Sequence, residues 1–346
     1  MVMLGVDAHK ATHTVVATDT NGRELERMTV RAVDAGHLEA LAWAAKWPAR
    51  TWAIEDCRQF TRRLERALLG SGEAVVRVAP RLMALSRRSG RQRGKSDPID
   101  ALAVARAAIR EPDLPRAHLD GPERELRLLL DHREDLVEER TRTQNRLRSH
   151  LYELDPGAEP PTRTLGRHRT LDRLRDQLRE LPGTVARLAR ELVERIDGLN
   201  HSIDALEVEI TALVEPMAPT LLSIHGCGAL TAAKIIAETA DVRRFHSAAA
   251  FAMHNGTAPI PVWSGNTPRH RLNRGGNRQL NCALHRIAVT QLRWDGPGRR
   301  YFERRIAGGN TKKKALRALR RRLSDVIYRA LRADIAASAP TTELAA

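Results

Sequence analysis

Two short apolar runs, VMLGVD (residues 2–7) and RTWAIED (50–56), each end in an acid. No other feature constrains the fold of this chain as much. Runs of this length read as buried strands. HTVVATD and RELERMTVRA follow the first run with a turn at DTNG, so the amino terminus reads as three strands containing one clear hairpin. Residues 34–47 have helical spacing, CRQFTRRLERALLG (57–70) is an amphipathic helix closed by Gly70, and EAVVRVAP (73–80) is a further strand. Strands first, then strands alternating with helices, predict an α/β sheet covered by helices. Open α/β sheets keep their sites at the carboxyl ends of strands, where Asp7 and Glu55 stand. Asp56, directly after Glu55, is an equally acidic strand end.

A basic loop, SRRSGRQRGKSD (86–97), leads into DPIDALAVARAAIRE, with Pro98 in the first helical position. Asp97 and Asp100, three apart, share one helix face. Local chemistry explains them as helix-start residues: Asp97 as the N-cap and Asp100 in the first turn, where a carboxylate favours the dipole. Grouped with Asp7 and Glu55 they become four hard oxygen donors. Such a set can hold two Mg²⁺ ions, or Mn²⁺, about 4 Å apart for phosphoryl transfer.

Beyond the first domain, which closes near residue 115, the chain turns charged and helical. Leu126, Leu130, Val137, Leu147, Leu151 and Leu154 form an imperfect heptad row, and Leu192, Ile196, Leu199, Ile203, Leu206, Ile210 and Leu213 a regular one. PGAEPPTRTLG (156–166) separates the two, which predicts a coiled coil over 116–217, either an antiparallel hairpin or an intermolecular coil.

A third, mostly α-helical domain spans 218–335, and a disordered tail is expected over 336–346. HGCG (225–228) lies between two helical patterns. It reads either as a helix-hairpin-helix turn, whose backbone N–H groups hold phosphate, or as an ordinary glycine turn. WSGNTPRHRLNRGGN (263–277), read as a loop, places Ser264 among Arg269, His270, Arg271, Arg274 and Arg278. Asn277 should cap the helix that follows. In TKKKALRALRRRL, Lys312, Lys313, Lys314, Arg317, Arg320, Arg321 and Arg322 wrap much of one helix. A helix this basic is suited to lie on phosphates.

The charge balance agrees, with 58 Lys and Arg against 42 Asp and Glu and a net charge of +16. Nucleic acid is the leading partner for such a surface. Aromatic residues are 3% of the chain, too few for a platform that reads single-stranded bases along a strand, so duplexes or structured nucleic acid are expected. Cys57, Cys227 and Cys282 have no CxxC spacing, which excludes a zinc knuckle and a disulfide framework. No apolar run is long enough to cross a bilayer and the opening residues carry no export signal, so a cytoplasmic protein without membrane contact is expected.

The order of these acids, a strand-one aspartate, a central-strand acid and a late acidic helix, is that of RNase H-like nucleases. In detail the sequence resembles the DEDD transposases of bacterial insertion sequences, a group of bridge-RNA-guided serine recombinases related to a pilin-gene invertase. GVDAHKATHTVVATD, WAIED, KSDPIDALAVA, HGCG, GTAPIPVWSGNTPRHRLNRGGNRQLN and the final basic helix carry the resemblance, which spans nearly the whole chain. It implies a RuvC-like first domain holding Mg²⁺ through Asp7, Glu55, Asp97 and Asp100, and a nucleophilic serine at Ser264. It also implies donor and target DNA, a structured guide RNA, and a dimer or tetramer whose subunits complete one another's centres. Rival readings are a Mg²⁺-dependent junction-resolving nuclease that uses water, and a non-enzymatic architectural DNA-binding protein.

Overall fold

The computed structural model describes every residue except 56–57, 81, 84–85, 87–95, 112–113, 115, 120, 159, 162, 265–266 and 339–346. At 58–59, 158, 263–264 and 267–269 it describes the backbone alone. The chain divides into two compact units, Met1–Asp120 and Gly121–Ala346.

In the first unit the elements run β1 (Val2–Ala8), β2 (Thr12–Thr18), β3 (Glu24–Arg31), α1 (Asp34–Ala44), β4 (Arg50–Glu55), α2 (Arg58–Gly70), β5 (Val75–Val78) and α3 (Asp97–Arg110). The sheet order is β3-β2-β1-β4-β5. β1, β2 and β3 pair antiparallel, whereas β4 and β5 extend the sheet in parallel. A mixed sheet with helices packed on it fits the α/β RNase H-like expectation.

Strand periodicity sorts the two faces. Leu4 and Val6 of β1 and Trp52 and Ile54 of β4 form one core with Leu64 and Leu68 of α2. The alternate residues Met3 and Ala53 pack on Val104, Ala105 and Ala108 of α3. Gly5 belongs to this second face. A Cβ there would lie 2.2 Å from the Ala101 carbonyl oxygen and 2.6 Å from the Ala105 nitrogen, so only glycine lets the backbones of β1 and α3 approach this closely. The alanine-rich sequence of α3 is the matching half of that contact.

The second unit begins with two long helices, α4 (Pro122–Leu154) and α6 (Thr184–Met217), with the shorter α5 (His168–Leu178) between them. Arg133 bonds Glu207 at 2.9 Å, Arg140 bonds Asn200 at 2.8 Å, and Arg195 reaches back to Glu139 at 2.9 Å. Partners that ascend on one helix descend on the other, so the pair is antiparallel. Ile196, Leu199, Ile203 and Ile210 of the regular heptad row are buried. Within the chain, α4 and α6 thus pack side by side as an antiparallel hairpin. α5 closes one end of it, where Leu171 and Leu174 pack with Leu147, Leu151 and Val193.

At the other end of this hairpin α4 and α6 join α7 (Pro219–Leu222), α8 (Ala229–Thr239), α9 (Ala248–His254), β6 (Pro259–Ser264), β7 (Thr267–Leu272), α10 (Arg278–Gln291), α11 (Pro297–Ala307) and α12 (Lys312–Ser338). Leu126, Ile210, Phe251, Leu284 and Ile327 share one core there. His225–Gly228 form the turn between α7 and α8, with Gly226 at φ +85°. Arg127 pairs with the buried Glu238 of α8, and Lys234 of α8 with Glu134 at 2.6 Å, fastening α4 to this core.

Two expectations need correction. The stretch read as a loop around Ser264 is a two-stranded antiparallel hairpin. Its prolines argued against strands, but both strands of a two-stranded ribbon are edges, where a missing N–H is tolerated. The tail expected to be disordered from 336 is helical through Ser338. The buried Asp334 carboxylate accepts the Thr220 and Leu221 N–H groups at 2.8 and 3.1 Å, which anchors the last turns of α12.

Candidate metal centre and serine hairpin

Parallel pairing of Val6 with Ile54 brings the next residues, Asp7 and Glu55, to one level at the carboxyl edge. Asp7 follows Gly5 by two, and Glu55 follows Ala53 by two, so both belong to the face that α3 covers. Asp100 is buried on α3 and Asp97 is that helix's first residue. The four predicted acids stand on strand ends and a helix start at this edge, and of them Asp7 and Asp97 fall, with His9, in one cluster of ligand atoms. Asp56, the alternative second ligand, lies outside the described residues.

The start of α3 departs from the local expectation. Ser96, not Asp97, is the N-cap, and its side chain makes no capping hydrogen bond. The Asp100 N–H bonds the Ser96 carbonyl at 3.0 Å. Asp97 points instead toward a residue that the sequence reading overlooked: its Oδ1 is 3.4 Å from His9 Nε2, which is also 3.1 Å from Asp7 Oδ2. The signal was the D-x-H spacing at the end of β1.

Ligand atoms of Asp7, His9 and Asp97 all lie within 4.8 Å of one another. Asp7 is 5% exposed. Burial pushes its carboxyl above the ordinary range; Asp100 and Asp97 push the same way, and His9 opposes them. Asp7, His9 and Asp97 offer carboxylate and imidazole donors at one point, and a divalent cation there would offset the repulsion that the neighbouring carboxylates place on Asp7. The donor set therefore fits a divalent metal.

Ser264 ends β6, and its backbone pairs with Thr267 at the far end of the hairpin from the root. Arg269 and Arg271 alternate along β7, Arg274 is exposed in the turn beyond it, and Arg278 opens α10. The root is knitted by small polar residues. Asn277 caps α10 by accepting the Leu280 N–H at 3.0 Å, as its place after two glycines predicted, and its amide donates to Glu238 at 2.6 Å. A Cβ on Gly276 would lie 2.3 Å from the Gly256 nitrogen, so these two strand-flanking backbones touch. Asn255, fully buried, donates to Ser324 Oγ at 2.8 Å and accepts from Asn281 through its carbonyl at 3.0 Å. The HNG and GGN motifs thus fix the base on which the serine stands.

Of the basic helix, Lys312, Lys313, Lys314 and Arg317 are exposed, whereas Arg320 and Arg321 are half-buried and hydrogen-bonded to Asn281 and Asp325. The Ser264 hairpin and the acids lie in different units.

A mixed-sheet domain with acids at one edge is thus followed by a helical unit that bears a basic hairpin. A DEDD transposase model of the IS110 type matches residues 4–156, and a model described as transposase of the IS116/IS110/IS902 family matches 218–303. The 44.8 kDa protein of insertion element IS116 from Streptomyces clavuligerus is 28% identical, over 96% of this chain and 94% of its own. The 42 kDa protein of IS900 from Mycobacterium paratuberculosis is 29% identical, over 100% and 99%. Among solved structures, RuvC of T. thermophilus in complex with a Holliday junction substrate aligns over 34% of this chain and 99% of its own, at 13% identity and a TM-score of 0.27. The chain belongs to the DEDD transposases of the IS110 family.

Proposed function

We propose that this transposase cuts and rejoins DNA through a covalent phosphoserine intermediate formed at Ser264, assisted by Mg²⁺ held by Asp7, Glu55, Asp97 and Asp100. The observation that carries this reading is the convergence of acids around Asp7, whose mutual repulsion suits a dication. When bound, the metal would neutralise charge on the phosphate and orient it. The chain's own residues supply the rest. The Ser264 hydroxyl oxygen bonds phosphorus as its proton leaves, and a deoxyribose oxygen departs as a hydroxyl. The reverse step, with a hydroxyl of a different strand, frees the serine and rejoins DNA without external energy, because the phosphoester is conserved. Arg269, Arg271, Arg274 and Arg278 would hold the phosphate backbone around the serine, and Lys312, Lys313, Lys314, Arg317, Arg320 and Arg321 would hold it along α12.

As the resemblance to the family implies, the reading includes an oligomer, a dimer or tetramer, in which one subunit's acids serve another's serine. In this reading the second copy meets the chain through the helical arm that carries the heptads. A structured guide RNA choosing the DNA sites, and a cytoplasmic location, complete the reading. No helix among the described residues is long and apolar enough to cross a membrane.

The test is a cleavage assay with DNA, Mg²⁺ and the RNA that copurifies with the protein, followed by denaturing electrophoresis. Wild type should give a protein–DNA adduct that persists in denaturant. Ser264→Ala should lose adduct and cleavage together, and Asp7→Asn should lose cleavage by at least about a hundredfold. Cleavage by Ser264→Ala at the wild-type rate would replace this mechanism with water-dependent hydrolysis at the acids.

A further inference from the structure

The root of the serine hairpin, α11 and the first half of α12 line a half-open cavity of about 1000 Å³. That lies at the upper end of the roughly 300–1000 Å³ typical of small organic ligands. Arg305, Lys314, Arg317, Arg320 and Arg321 line it, joined by Arg271 of β7. Among the lining residues the acid is Asp325, and Arg321 engages its carboxylate. Arg320 donates through Nη1 to Asn281 Oδ1 at 2.9 Å, but its Nε is buried with no hydrogen-bond partner among the described residues. Burial, and then the neighbouring Arg317, push its pKa down. An unmatched buried donor among converging cations is costly until an anion enters.

The walls are not merely cationic. Tyr301 lines the cavity half-buried, with the Arg322 guanidinium 5.4 Å from its ring centroid, and Ala258, Pro259 and Leu272 add apolar surface. Inorganic phosphate would use neither that stack nor the apolar wall. A paired duplex keeps its bases inside and cannot present one here. A nucleotide whose base has left the stack carries both an anion and a flat π-face, which aromatic rings and guanidinium planes accept.

We propose that this cavity receives one unpaired nucleotide, its phosphate on Arg317 and Arg320 and its base against the Tyr301–Arg322 stack. The proposal rests on the transposase reading and deepens it, giving the serine-bearing unit a means to hold a nucleotide extruded from a strand beside the hairpin root. DNA and RNA share this chemistry.

Calorimetric titration of the full-length protein with AMP, dAMP and inorganic phosphate tests it. A nucleotide should bind at least about tenfold more tightly than phosphate, in keeping with the usual worth of base stacking. Tyr301→Ala should reduce nucleotide affinity to that of phosphate, Tyr301→Phe should keep it within about twofold because the ring remains, and Arg320→Gln should weaken all three ligands. A preference for AMP marks RNA as the source, and parity or a preference for dAMP marks DNA. Equal affinity for phosphate and nucleotide, or a Tyr301→Ala protein that binds AMP like wild type, overturns the proposal. Strand cleavage by wild type, assayed in parallel, separates the two readings. Cleavage without nucleotide binding sinks the pocket alone, and nucleotide binding without cleavage sinks the recombination chemistry alone.

Discussion

At the scale of single residues, the first unit holds a second pair of groups whose protonation matters to the fold. The His13 and His37 rings stack 5.4 Å apart, each 1% exposed, on the sheet's α1 side. Burial, then His37 and His9, lower the His13 pKa from 6.5 to about 4. A histidine whose folded pKa lies below its unfolded one stays neutral in the fold while the unfolded chain takes up the proton. Its stability is therefore complete above about pH 6.5 and is lost as pH falls toward about 4. Between pH 7 and pH 5 this amounts to about 2 kcal/mol. Urea unfolding of wild type and His13→Leu at the two pH values should show a steeper loss for wild type; parallel losses would remove His13 as the cause. Neither histidine was legible as a buried pair in the sequence, because their partnership is created by β2 and α1 meeting. His9 escaped notice for the same reason: it sits two residues from Asp7 in sequence, yet its significance comes from Asp97, which folding brings to it.

At the scale of elements, the metal centre depends on how α3 sits on β1. Acids on two strand ends were readable from the apolar runs that precede them, and the amphipathic helices from their spacing. The close backbone contact at Gly5 was not, since a glycine inside a strand run signals a bulge, a bend or an approach equally well. The structure selects the approach. Gly5→Ala should push α3 off the sheet, cost about 1–3 kcal/mol in urea unfolding as overpacking does, and impair Mg²⁺-dependent cleavage although no acid is altered. Wild-type stability in that variant would mean that α3 relocates without strain and that the contact is dispensable. The serine hairpin teaches the opposite lesson. Its prolines hid the strands, whereas Asn277 at its root was already readable as a helix cap, because that role is local.

For the molecule as a whole, the net charge of +16 and the two-unit division set how it meets a polyanion. Exposed Lys312, Lys313 and Lys314 at the start of α12 are placed to contribute through counterion release rather than base reading. Replacing all three with alanine should lower the slope of log affinity against log salt by about 0.9 for each lysine that touches phosphate, equally for unrelated duplexes. An unchanged slope in a fluorescence anisotropy titration would move the footprint elsewhere on the surface. Charge sign and helix periodicity made this level legible from the sequence, as did the separation of the serine from the acids along the chain.

The antiparallel pairing of α4 and α6 has a consequence for how such proteins diverge. Because Arg133 faces Glu207 and Arg140 faces Asn200 in mirrored order, an insertion in one limb displaces every facing pair between it and the end closed by α5. An arm built this way keeps its facing pairs when the two limbs change length by matched amounts.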